Sequence, residues 1–249
     1  MRYYVISDVH GFYTPMTDAL KSAGYFDDPQ PHKLIILGDL FDRGAEAPAL
    51  QEFVIDLIER DAVILIRGNH EDLYEELATV DQGQPFSHHI SNGTYDTALQ
   101  LTGMDKWMAL IRQYDFAEAA QNTPYYKRII PAMQNYYETE HYIFVHGWIS
   151  CLRERNTYCS IGNWRKANDN LWRTARWLNG MEANQFVYED GKTIVCGHWH
   201  ASYGHTVFEK RGSEFGPDAN FEPYYGSGII ALDACTVESG FVNCIVIDD

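Results

Sequence analysis

Residues that can bind metal ions recur along this chain, each time directly after a short apolar segment. Three such groups lie in the N-terminal third: Asp8-Val9-His10-Gly11, Gly38-Asp39-Leu40-Phe41-Asp42-Arg43-Gly44 and Gly68-Asn69-His70-Glu71. Two histidine groups follow: His146-Gly147-Trp148 and Gly197-His198-Trp199-His200. Imidazole, carboxylate and amide ligands together suit Mn, Fe, Zn or Co better than Mg or Ca. The residue types and their spacing therefore predict a transition-metal site.

These groups contain enough ligands for more than one ion. Two metal ions that share one carboxylate could be bound by seven side chains: Asp8, His10, Asp39, Asn69, His146, His198 and His200. The Gly-Asp-x-x-Asp-Arg-Gly block that begins at Gly38 is the most informative group, because five fixed residues rarely coincide by chance. A charged helix start capped by Asp39 or Asp42 is the alternative interpretation, but it does not account for the other groups.

The apolar segments before the first three groups are predicted to be strands of one sheet. Residues 2–7, 33–37 and 62–66 alternate with two segments of helical spacing, residues 15–23 and 48–60. This β-α-β-α-β order is typical of parallel strands joined by crossover helices. Because sites in such sheets form outside the carboxyl ends of the strands, we expect the three groups to converge.

The rest of the chain has a different pattern. Residues 71–131 are predicted to be mostly helical, with 104–114 as the best amphipathic helix, and residues 202–228 are predicted to form one long ordered loop. Four further short strands are predicted at residues 142–145, 193–196, 229–232 and 242–247. Together these elements predict a single α/β domain over residues 1–249, built on two sheets with helices outside.

Composition and charge narrow the class of protein. The chain has 19 Lys plus Arg against 35 Asp plus Glu, which gives a formal net charge of −16. Such a surface repels nucleic acids and anionic membranes, so we expect neither as a partner. The five cysteines lack a Cys-x-x-Cys spacing and are expected to be reduced. Since the N-terminal residues show no features of a signal peptide, we expect a cytoplasmic protein.

The combined motifs resemble the metallophosphoesterase superfamily, and in particular the compact bacterial serine/threonine phosphatases of the phosphoprotein phosphatase family. Three further segments resemble elements of those bacterial enzymes: residues 92–99, residues 169–173 and residues 230–247. The resemblance covers nearly the whole chain. It implies a calcineurin-like β-sandwich of two mixed sheets flanked by helices, in α-β-β-α layers.

The resemblance also implies a role for each candidate residue. One metal ion would be held by Asp8, His10 and Asp39. Asp39 would bridge to a second ion, which would be completed by Asn69, His146 and His198. His70, oriented by Asp42, would protonate the leaving group. Two arginines, Arg43 and Arg67, would bind the phosphate. The expected cofactor is a pair of divalent transition-metal ions, with Mn as first choice and Fe, Zn or Co as alternatives.

Two assignments stay open at this stage. His200 matches the wider superfamily, whose second histidine in this motif binds the first metal, whereas protein phosphatases usually lack it. A further phosphate-binding arginine is expected in the Leu-Trp-Arg segment. Arg173 is preferred there, and Arg176 could take its place from the next helical turn.

The implied function is hydrolysis of phosphomonoesters, with phosphoserine and phosphothreonine in proteins as the first expected substrates. Attack by a metal-bridging hydroxide would need no phosphoenzyme. The alternative on the same fold is a dinucleoside polyphosphate hydrolase acting on diadenosine tetraphosphate. A non-catalytic binding protein is disfavoured because His70, Asp42 and Arg43 are all present. The expected partner is a phosphorylated protein or a small phosphoester, and the oligomeric state is open. Aromatic residues that include Trp148 and Trp199 are expected at the mouth of the pocket.

Overall fold

The computed structural model describes residues 1–155 and 157–249. The strands are, in chain order, β1 (Arg2–Ile6), β2 (His32–Ile36), β3 (Val63–Leu65), β4 (Tyr137–Glu138), β5 (Tyr142–Phe144), β6 (Cys151–Glu154), β7 (Thr157–Ser160), β8 (Thr193–Cys196), β9 (Tyr224–Gly226), β10 (Ile229–Ala231) and β11 (Cys244–Asp248).

The α-helices are, in chain order, α1 (Tyr13–Ser22), α2 (Ala47–Glu59), α3 (Asn69–Glu75), α4 (Ser87–Ser91), α5 (Thr94–Thr102), α6 (Lys106–Ile111), α7 (Gln113–Asn122), α8 (Ile130–Ala132), α9 (Asp169–Ala175), α10 (Gly180–Ala183), α11 (Ala201–Val207) and α12 (Thr236–Ser239). π-Helical turns follow α3 at Glu76–Val80 and precede α8 at Tyr125–Ile129. In the described parts of the chain, no helix has both the length and the apolar character needed to cross a bilayer.

The strands form two mixed sheets and a separate hairpin. The first sheet has the order β11-β1-β2-β3, in which β1, β2 and β3 are parallel and β11 is antiparallel to β1. The second has the order β4-β5-β8-β10-β9, with β5, β8 and β10 parallel and both edge strands antiparallel. β6 pairs with β7. The predicted fold class is confirmed.

Alternating side chains of the central strands build the layers. In β1, Tyr3 and Val5 pack between the two sheets in one cluster with Phe144 of β5 and Val195 of β8. The intervening Tyr4 and Ile6 lie in a second cluster with residues of α1 and α2. Such alternation follows from the two-residue period of a strand. A third cluster joins the other face of β5 and β8 to α9 and α10. The result is the expected α-β-β-α arrangement.

Two of the predicted elements were wrong. The amphipathic segment 104–114 is not one helix. The side chain of Asp105 caps α6 by accepting hydrogen bonds from the amides of Trp107 and Met108, and Arg112, with ψ 56°, separates α6 from α7. The predicted loop at 202–228 contains most of α11 and all of β9. These two elements stabilise each other through tertiary contacts, such as the packing of Gly204 against the ring of Tyr224, which no sequence period reveals.

Candidate metal centre

The carboxyl ends of strands from both sheets meet at one place. Asp8, Asp39 and Asn69 follow β1, β2 and β3, and His146 and His198 follow β5 and β8. Backbone bonds connect these ends within each sheet: the His10 amide donates to the Asp39 carbonyl at 3.0 Å and the Gly197 amide to the His146 carbonyl at 2.8 Å. The His198 amide donates to the carboxylate of Asp8 at 3.0 Å and so joins the two sheets.

Asp39 lies between two sets of possible ligands. Its carboxylate forms one close group with His10 and His70, and another with His146 and His198. The Nε2 atoms of His10 and His70 lie 3.9 and 3.8 Å from Oδ2 of Asp39. Nε2 of His146 lies 3.3 Å from Oδ1 of the same side chain. One carboxylate therefore faces both groups, as expected for a bridging ligand.

The hydrogen bonds of two histidine rings leave their Nε2 atoms available. Nδ1 of His10 donates to the carbonyl of Phe41 at 3.0 Å, and Nδ1 of His146 donates to the carbonyl of Leu37 at 2.6 Å. Nε2 of His146 then faces Oδ1 of Asn69 at 2.8 Å. A ring fixed through one nitrogen, with the other facing oxygen acceptors, is the usual arrangement around a metal. The donors present therefore fit a transition-metal pair.

The electrostatics of the pocket favour added positive charge. Burial lowers the pKa of His146, but the neighbouring Asp39 outweighs it and raises the pKa to about 10. Burial and the facing Asp233 raise the pKa of Asp8 well above its ordinary value. Burial and the nearby His146 lower the pKa of His198 to about 3, so this ring is neutral and can offer a lone pair. Buried acids that repel each other are stabilised by a cation among them.

Unusual backbone conformations hold these side chains. Among the described non-glycine residues, eleven have positive φ, and six of them belong to the predicted site: Asp8, His10, Asp39, Asp42, Arg43 and His198. Such strain concentrates at functional sites. Gly68 is required at the start of α3, because a Cβ there would overlap the Asp39 carboxylate and lie 2.6 Å from the Asp39 amide.

Glu71 is a positioning residue that the sequence-based site did not include. It is fully buried, and its carboxylate accepts hydrogen bonds from the amides of Asp39 at 3.0 Å, Leu40 at 3.0 Å and Gly68 at 2.7 Å. It thereby joins the loop after β2 to the loop after β3. Its place in the Gly-Asn-His-Glu block was visible in the sequence, but its three backbone partners were not.

His70 and Asp42 form the expected pair. Nδ1 of His70 donates to Oδ2 of Asp42 at 2.7 Å, and the same oxygen accepts from the Thr94 hydroxyl at 2.6 Å. Burial lowers the pKa of His70, but Asp39 and Asp42 outweigh it and raise the pKa above its ordinary value. A guanidinium nitrogen of Arg43 lies 3.5 Å from Nε2 of His70. The structure thus places a proton donor and a cation side by side.

The other arginines have different surroundings. Arg67 pairs with Asp72 at 2.8 Å and with Glu75. Arg176 is buried and pairs with Asp72 at 2.7 Å. Arg173 is exposed and lines, with both of them, a cavity of about 290 Å³. Since Arg176 is held by its ion pair, Arg173 is the more accessible candidate, and the phosphate-binding roles of Arg67 and Arg173 stay predictions.

The structure gives different results for His200, a candidate metal ligand, and for the aromatic residues expected at the pocket mouth. Nε2 of His200 hydrogen-bonds to Glu214 at 2.8 Å and lies in neither donor group around Asp39, so its role as a ligand stays a prediction. Trp148 is buried in the core, so its expected place at the pocket mouth was wrong. Trp177 was missed: its indole is 48% exposed and packs edge-on against the ring of His198 at 5.8 Å.

A family model and several known proteins resemble this chain in sequence. A family model described as calcineurin-like phosphoesterase matches residues 1–220. The asymmetrical bis(5'-nucleosyl)-tetraphosphatase of Bacillus subtilis (strain 168) is 34% identical over 113 residues, which are 43% of this chain and 44% of that relative. The aligned segment therefore spans less than half the length of the relative.

Two solved structures resemble the whole chain at low sequence identity. A cold-active protein tyrosine phosphatase from Shewanella sp. has a TM-score of 0.52 and 16% identity, covering 100% of this chain and 75% of that one. A candidate diadenosine tetraphosphatase has a TM-score of 0.53 and 13% identity, covering 99% and 89%. At these identities the likeness concerns the fold alone.

Proposed function

The chain belongs to the calcineurin-like phosphoesterase family, and on that premise we propose that it hydrolyses dinucleoside tetraphosphates at a pair of divalent transition-metal ions. The observation that carries the catalytic part is the position of Asp39 between two groups of buried histidines. When bound, such a pair of ions would supply activation of water and neutralisation of phosphoryl charge.

The residues of the chain have separate tasks in this proposal. Asp8, His10, Asp39, Asn69, His146 and His198 would hold the ions, and His70, oriented by Asp42, would protonate the leaving group. Arg43 is exposed beside His70, where it can bind a phosphoryl oxygen of the substrate. The local cations would thus offset the acidic surface of the chain, whose formal net charge is −16.

Two observations support the nucleotide substrate. The Bacillus subtilis relative that is 34% identical over 113 residues is named as a bis(5'-nucleosyl)-tetraphosphatase. In addition, exposed aromatic rings lie beside two histidines that are candidate ligands: Trp177 next to His198, and Phe215 next to His200 at 4.6 Å between ring centroids. A nucleobase stacked on an aromatic side chain gains about 1–3 kcal/mol.

A phosphoserine or phosphothreonine substrate is the second candidate, and the His70–Asp42 pair favours it. An alkoxide leaving group needs a proton, whereas a nucleotide phosphate is a much better leaving group. A buried histidine whose pKa is raised, against the effect of burial, by the carboxylates of Asp39 and Asp42 suits the first case. The two candidate substrates require the same metal ligands. They differ in the groups that the surface around the metal centre must bind.

Steady-state kinetics with the Mn²⁺-loaded protein separates these substrates. We expect kcat/KM to be higher for diadenosine tetraphosphate than for a phosphoserine or phosphothreonine peptide. W177A should raise KM for the dinucleotide by about 5- to 150-fold, the equivalent of one lost stacking contact. W107A, whose indole is 73% exposed on α6, is the matched control and should leave KM unchanged. Better hydrolysis of the peptide would support the second candidate instead.

A further inference from the structure

A second cluster of metal-binding side chains lies outside the candidate centre, in the helical segment after α3. Glu76 begins the π-helical turn at Glu76–Val80, Asp81 directly follows that turn, and His88 and His89 lie in α4. One ligand atom of each of these four residues lies within 4.8 Å of all the others. We call Glu76, Asp81, His88 and His89 the His88–His89 cluster.

The distances between ligand atoms in the cluster match those between the ligands of one metal ion better than they match hydrogen bonds. Nε2 of His88 lies 3.4 Å from Oε1 of Glu76, and Nε2 of His89 lies 3.6 Å from Oδ2 of Asp81. The second distance is too long for a hydrogen bond. Ligands about 2.0–2.2 Å from a tetrahedral zinc ion lie about 3.3–3.6 Å from one another.

Two atoms of the cluster are buried without a partner. Oδ2 of Asp81 and Nε2 of His89 are inaccessible to solvent and have no hydrogen-bond partner among the described residues. The side chain of His89 is 0% exposed, and its free nitrogen faces the Asp81 carboxylate. A buried polar atom that is left without a hydrogen bond destabilises the folded state. A ligand that bonds to both would remove that destabilisation.

We propose that the His88–His89 cluster binds a divalent transition-metal ion, with Zn²⁺ as the best fit. Two imidazoles and two carboxylates are a zinc donor set, whereas Mg²⁺ and Ca²⁺ prefer oxygen ligands. The two carboxylates also neutralise the charge of the ion. Glu76 and His88 are partly exposed, so the ion has a path from solvent.

Binding requires one local change. The amide of Phe86 donates to Nδ1 of His89 at 3.2 Å, which places the proton of the neutral ring on Nε2. A metal at Nε2 needs the lone pair there, so the ring proton moves to Nδ1 and the Phe86 amide loses its acceptor. The amide precedes α4 and is only partly buried. Water can therefore replace the lost bond.

The position of the cluster gives the ion a structural consequence. α4 has five residues, too few for a helix to be stable by itself. It leads through Gly93 into α5, where Thr94 and Thr97 hydrogen-bond to Asp42 at 2.6 and 3.0 Å. An ion that joins α4 to the π-helical turn would therefore also stabilise the start of α5, which holds Asp42, the hydrogen-bond partner of His70. This inference does not depend on the substrate of the candidate centre.

Zinc stoichiometry of the full chain tests the proposal. The wild type, H88A, E76Q and the control H141A are dialysed against Zn²⁺ and analysed by plasma mass spectrometry. His141 is 63% exposed and pairs with Asp249, outside the cluster. We expect H88A and E76Q to bind one zinc ion fewer per chain than the wild type, and H141A to bind the same number. The rise in Tm on adding Zn²⁺ should be smaller in both cluster variants than in H141A.

Each outcome decides the question. Equal zinc content in the wild type, H88A and E76Q would overturn the proposal, as would a Tm rise of the same size in all four proteins. E76Q keeps the shape of the side chain, so it decides the result if H88A does not fold. Hydrolysis of an aryl phosphate with Mn²⁺, measured separately, reports on the candidate centre and not on the cluster.

Discussion

Replacing Asp42 by Asn tests the chemistry assigned to His70. Asp42 accepts a buried hydrogen bond from Nδ1 of His70 at 2.7 Å, and it is one of the two carboxylates that raise the pKa of that ring. A hydrogen bond to a charged group contributes about 1.5–3 kcal/mol. At 1.4 kcal/mol per factor of ten, D42N should weaken proton binding by His70 about 10- to 150-fold and so lower the pKa of that ring.

The size of the rate effect should depend on the leaving group. With the pKa of His70 lowered, a smaller fraction of the rings carries the proton at the assay pH, so kcat for an alkyl phosphate should fall by about 10- to 100-fold. Because the protonated form is the active one, the alkaline fall of the pH profile should move to lower pH. With p-nitrophenyl phosphate or diadenosine tetraphosphate the loss should be small, since these leaving groups need little protonation.

Controls separate this effect from damage to the centre. Thr94→Val removes the hydrogen bond that the Thr94 hydroxyl donates to the Asp42 carboxylate, at 2.6 Å, without removing the charge, and should have a weaker effect than D42N. The metal content of D42N should equal that of the wild type. An equal loss of kcat on alkyl and aryl phosphates, or loss of metal, would refute the assigned role.

Other perturbations have equally direct expectations. E71Q places an amide nitrogen against backbone donors and should cost about 3 kcal/mol, seen as a Tm drop of about 6–12 °C, and an unchanged Tm would contradict its role. G68A should reduce the metal content, because its Cβ meets the Asp39 carboxylate, whereas G162A has open space and should not. Hydrogen bonds from Arg165 lower the pKa of Glu138 from 4.5 to about 2, so its stabilisation is present above pH 4.5 and is lost as the pH falls through about 2. The Tm difference between wild type and E138Q should shrink over that range, and a constant difference would exclude this cause. Chelation should abolish hydrolysis and Mn²⁺ should restore it, and activity that survives complete metal removal would contradict the proposed function.

The sequence predicted the parts of the fold that depend on local patterns. The strand at Arg2–Ile6 and the helix at Ala47–Glu59 have strong periodicity and lie within two residues of their predicted bounds. The convergence of Asp8, Asp39 and Asn69 could also be expected, because they follow neighbouring parallel strands, whose carboxyl ends mark sites in such sheets. Functional residues at the ends of strands can therefore be predicted before the structure is known.

What the sequence did not predict depends on contacts between distant segments. The ion pairs of Arg67 and Arg176 meet at Asp72, which lies far from Arg176 in the chain. Trp177 has a tryptophan's ordinary preference for the core, yet its ring is half exposed beside His198. The three backbone amides that donate hydrogen bonds to Glu71 come from two loops. No single-sequence period carries such information.

Anomalous diffraction from a Mn²⁺-soaked crystal tests the central claim most directly. We expect two peaks, both within bonding distance of the Asp39 carboxylate, one on the side of His10 and the other on the side of His146 and His198. A single peak, or peaks bound to residues other than Asp39, would contradict the assignment of a shared dinuclear centre.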